Sequence, residues 1–86
     1  MAPTKEDFQE ELNNMFKEAQ SQGKPYVDIS AKKLHEEVGW YPNNGNHRMP
    51  VCCDVMKKNK KPEDDILRHP PKGNGATLVI RYKLPR

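Results

Sequence analysis

The side chains of this chain best equipped for chemistry are its cations, and they are unevenly placed. Residues 47–86 hold ten Lys and Arg against four carboxylates, whereas residues 1–46 hold five lysines against eight acids. The net charge of +3 therefore averages an acidic half and a basic half. Lys57, Lys58, Lys60 and Lys61 fall within five residues, and Arg68 and Lys72 follow. Any single lysine is equally well explained as a solvated face, but this concentration suits a polyanionic partner such as nucleic acid.

The remaining reactive side chains point away from catalysis. His35, His47 and His69 fall in three different segments, with no neighbouring serine, acidic pair or Gly-rich phosphate loop, so no catalytic motif emerges and an enzyme is not expected. His47 with Cys52 and Cys53 lacks the paired spacing of a metal site, so neither metal nor cofactor is expected. Adjacent cysteines can be bridged only with strain and supply no staple for a secreted fold, which makes a reducing, cytoplasmic setting the default. On a helix they point different ways, so one is expected in the core and the other partly exposed. The longest apolar stretch, Leu78-Val79-Ile80, is far short of the ~20 residues that span a bilayer, and the N-terminus shows no basic-then-apolar signal pattern. Neither a membrane span nor a secretion signal is expected.

Eighty-six residues suffice for one domain, read as residues 1–86. With 34% hydrophobic and 31% charged residues, the core must come from a few well-spaced positions. Phe8, Leu12, Met15, Phe16 and Ala19 recur at spacings of three and four, which predicts a helix over residues 4–22 with Thr4 as N-cap, Glu6 and Asp7 in its first turn, and a stop at Gly23 and Pro25. Residues 25–29 read as a short edge strand. Ser30 caps a second helix over residues 31–38, with Ala31, Leu34 and Val38 on its inner face and Gly39 ending it.

Residues 40–46 are turn-forming, and a third helix is expected to begin near Asn46 or Met49, because Pro50 is tolerated in a first turn. Its buried stripe is Met49, Cys52, Val55 and Met56. Residues 65–68 and 77–84 read as strands pairing in a hairpin, the second burying Leu78, Ile80, Tyr82 and Leu84 and turning Arg81 and Lys83 outward to extend the basic surface. Between them runs the Pro- and Gly-rich loop of residues 69–76.

This α+β order of helix, strand, helix, helix, strand and strand resembles the winged helix-turn-helix family across nearly the whole chain. The resemblance rests on Tyr26-Val27-Asp28-Ile29-Ser30 before the second helix, on the turn-rich link to the third, and on the Gly-containing loop between Arg68 and Thr77. That link, from Gly39 to Asn46, is longer and more aromatic than the family's tight turn. The stretch from His47 to Cys53 and the ending from Gly75 to Arg86 are also similar to small prokaryotic proteins of unassigned role, which implies a prokaryotic source.

The family resemblance implies a DNA-binding protein, with transcriptional regulation as its role, whose third helix enters the major groove and whose hairpin is the wing. It places Asn46, His47 and Arg48 at the groove end of that helix, where Arg can donate two hydrogen bonds to guanine and Asn can pair with adenine. Lys57, Lys58, Lys60 and Lys61 become phosphate contacts, and Arg68, His69, Lys72 and Asn74 belong to the wing. The competing expectation is a protein-docking module using the acidic first helix or Trp40 and Tyr41, which would serve either as an exposed hot spot or as core. A homodimer through the first helix would fit a regulator that binds two half-sites.

Overall fold

The computed structural model describes residues 4–38, 49–71 and 75–86. Its first helix, α1 (Lys5–Ser21), starts where the sequence says it must. The Thr4 hydroxyl accepts from the Asp7 amide at 3.3 Å, and the Asp7 carboxylate accepts from the Thr4 amide at 2.8 Å, so two orphan donors are satisfied reciprocally. The helix stops at Gly23, whose φ of 74° is open to glycine at little cost. Phe8, Leu12, Phe16 and Ala19 are buried along one face, with Met15 half-buried beside them.

Strand β1 (Tyr26–Ser30) leads directly into α2 (Ala31–Val38), whose Lys33 amide donates to the Ser30 hydroxyl. Ala31 and Leu34 are buried and Val38 is half-buried, but α2 also buries His35 completely, its ring edge-on to Phe8 at 5.0 Å. Helix α3 (Met49–Asn59) buries Met49, Cys52, Val55 and Met56 as the spacing predicts. Strands β2 (Asp65–Arg68) and β3 (Val79–Lys83) then pair antiparallel.

The expectation of one partly exposed cysteine is corrected. Cys52 and Cys53 are both fully buried, because α3 is covered on two adjacent sides. The Cys52 thiol donates to the Ala31 carbonyl of α2 at 3.4 Å, and Cys53 contacts the backbone of Gly75. Strand β3 is also shorter than expected. The Leu78 amide donates to the Gly75 carbonyl and its own carbonyl accepts from Ala31, so Leu78 is held by a turn and by the start of α2 while remaining in the core.

The sheet is antiparallel with the order β1-β3-β2. Its pleat sorts two rows to opposite faces. Ile29, Ile80 and Ile66 lie in register on the face turned to the three helices, while Asp28, Arg81 and Asp65 lie in register on the outer face. A register shift between Ile66 and Arg68 accompanies an exposed Leu67. Among the described residues, no helix is long and apolar enough to cross a membrane.

Candidate nucleic-acid interface

The cationic stretch begins in the last turn of α3, where Lys57 and Lys58 complement the helix dipole. Both are exposed, as are Pro50 and Asp54 on the same helix, so the solvent face of α3 carries one carboxylate beside its lysines. Lys60 is half-buried and its Nζ donates to the Lys61 carbonyl at 3.3 Å, while Lys61 itself is exposed. Arg68 is exposed at the end of the edge strand β2.

The lysines divide between two sides of α3. Lys57 lies close enough to Cys53 to act on its thiol electrostatically, and Cys53 faces the root of the β2–β3 loop. Lys58 faces α1 instead, opening onto Lys5, Glu6 and Gln9, and with Lys61 it lines a groove of about 500 Å³ shared with Lys17 and Arg86. Asn46, His47, Arg48, Lys72 and Asn74, as well as Trp40 and Tyr41, lie outside the described residues.

The root of the loop is fixed against the helices. The Gly75 amide donates to Cys53 Sγ at 3.3 Å, the thiol donates back to the Gly75 carbonyl at 3.4 Å, and the Lys32 amide donates to the Ala76 carbonyl. Pro70 is buried at the other flank, and a side chain at position 75 would bring its Cβ to 3.2 Å from Pro70 Cβ. A larger residue there would require Pro70 to give by a few tenths of an ångström. Burial pushes the Cys52 thiol up to about 12 and also raises that of Cys53, so both are held as neutral thiols.

Two arginines expected or available on the basic half are committed to the protein itself. Arg81 points outward as expected, but it pairs with Asp28 through two hydrogen bonds of 2.8 and 3.1 Å and stacks over Tyr26 at 4.1 Å. Asp65 flanks it on the other side, so this row does not extend the cationic surface. Arg86 donates to the buried Asp64 carboxylate at 2.8 Å, to the carbonyls of Asn59 and Lys83, and lies against the rings of Phe16 and Tyr82. Burial would raise the Asp64 carboxyl, but the amides of Lys61 and Lys83 and the Arg86 guanidinium outweigh it and hold it below the usual carboxylate range. Composition could not reveal this pair, because only the tertiary fold brings Asp64 and Arg86 together.

A second groove, of about 300 Å³, lies between α1 and α2 and is lined by Asp7, Glu10, Glu11, Glu37 and Val38. Among the described residues, no three His, Cys, Asp or Glu side chains gather closely enough to hold a metal ion. Comparison with models of protein families, with curated proteins and with solved structures found no match.

Proposed function

We propose that this chain is a winged helix-turn-helix protein that binds double-stranded DNA, acting as a transcriptional regulator in the cytoplasm of a prokaryote. Helix α3 and the β2–β3 hairpin are its reading elements. The observation that carries this proposal is the reciprocal contact between Cys53 and Gly75, which ties the root of the hairpin loop to the flank of α3. A helix and a loop fastened in this way present one surface to a duplex, and a preorganised surface loses less entropy on binding. The pairing of β1 with β3 and the pairwise packing of the three helices are what such a fold calls for.

Within this proposal, Asn46, His47 and Arg48 contact base edges or phosphates. Lys57, Lys58, Lys60 and Lys61 contact phosphates, and Arg68, Lys72 and Asn74 belong to the wing. The test is duplex binding at several salt concentrations. Affinity falls steeply as salt rises, Arg48→Ala changes sequence preference, and Lys72→Gln weakens binding equally on all sequences. Absence of binding at low salt rejects the proposal.

The acidic groove between α1 and α2 favours a second reading, a docking module for a protein partner. In that case a cationic partner binds, Glu10→Gln/Glu11→Gln weakens the complex, and duplex DNA does not compete.

A further inference from the structure

The groove between α1 and the end of α3 contains no carboxylate among its lining residues, although α1 is an acidic helix. Its cations are Lys17, Lys58, Lys61 and Arg86. Arg86 is balanced by Asp64, so the uncompensated charge belongs to the three lysines, all of them exposed. The walls are set by side-chain amides. Asn59 and Gln9 exchange hydrogen bonds of 2.7 and 3.1 Å, fixing α3 against α1, and Gln20 Oε1 accepts from the Arg86 amide at 3.1 Å, fixing the C-terminal segment against α1. Three long cations thus stand on a rigid frame around an open trough.

We infer that this trough carries the phosphodiester backbone of the bound nucleic acid, so that the interface extends from α3 onto Lys17 of α1. The inference rests on the proposed DNA binding. An open trough with flexible point charges suits a repeating phosphate chain better than a single small anion, which would need convergent, preorganised donors. Lys61 and Lys58 connect the trough to the exposed face of α3, and the acidic groove lies on the α2 side of α1.

The experiment is a salt titration of duplex binding by the full chain as wild type, as Lys17→Gln/Lys61→Gln, as Lys17→Arg/Lys61→Arg and as Lys72→Gln. Each phosphate contact contributes about 0.9 to the slope of log affinity against log salt. The Gln pair is expected to lower that slope by about 2, with the same loss on every sequence and an unchanged melting temperature, while the Arg pair retains the wild-type slope. A full slope in the Gln pair, or a loss of only about 0.9 that Lys61 alone accounts for, overturns the inference. If Lys72→Gln lowers the slope in the same series, DNA binding stands without the trough. If the wild type binds no duplex at low salt, both fall together. Inorganic phosphate that protects Lys17 from amine labelling while the Gln pair keeps its full slope marks a small-anion site and overturns the inference as well.

Discussion

At the scale of single residues, the Asp64 carboxylate carries the largest consequence. Three donors surround it in a position where its side chain is fully buried, so removing its charge leaves the Arg86 guanidinium without its partner. Asp64→Asn is expected to cost about 3–5 kcal/mol at neutral pH, read by urea denaturation. Because folding holds this carboxyl below its unfolded value of about 3.9, its contribution is complete above that value and is lost as pH falls through the folded one. The variant should therefore show a flatter loss of stability below about pH 4. The cysteines give a second prediction. With Cys52 pushed up to about 12 and both thiols sealed, a thiol reagent at pH 8 should titrate neither in the native protein and two in denaturant. Rapid native labelling would contradict the burial of α3.

At the scale of elements, the helix ends are local chemistry, and local chemistry is what a sequence displays. Thr4, Ser30 and Gly23 each act within a few residues of their own position, and all three appear where their types predict. Thr4→Ala removes the hydroxyl half of the α1 cap, leaving the residue-4 amide on the Asp7 carboxylate, and should cost about 1 kcal/mol by thermal denaturation. Polar residues in the core are legible only with their neighbours in place. His35 is not among the inner-face positions that the spacing of α2 picks out, yet the fold buries it against Phe8 from α1. Lys17 likewise disappears into the acidic average of the first half, although the fold places it beside Lys58 and Lys61. Of the proposed contacts, the sequence identifies the basic run itself but not its division between the α1 side and the loop side of α3, which depends on how that helix is rotated in the bundle.

At the scale of the whole molecule, charge is sorted by surface. One groove of α1 is acidic and faces α2, while another is cationic and adjoins α3. The outer row of the sheet, Asp28-Arg81-Asp65, carries two carboxylates against one guanidinium and offers no free cation. A duplex lying along α3 and the trough should be indifferent to the acidic groove, so Glu10→Gln/Glu11→Gln is expected to leave the salt slope unchanged. A steeper slope in that variant would place the duplex on the α2 side instead.

The close approach of Pro70 to Gly75 has an engineering consequence. A Cβ at position 75 would sit 3.2 Å from that of Pro70, so the proline would have to give by a few tenths of an ångström, and Pro70, Cys53 and Ala76 share the same fastening. The stem of the hairpin is therefore a fixed socket, and its fit can be probed one methyl group at a time. Because Pro70 is buried and has little freedom to give way, Gly75→Ala and bulkier substitutions should lower the melting temperature of the whole domain.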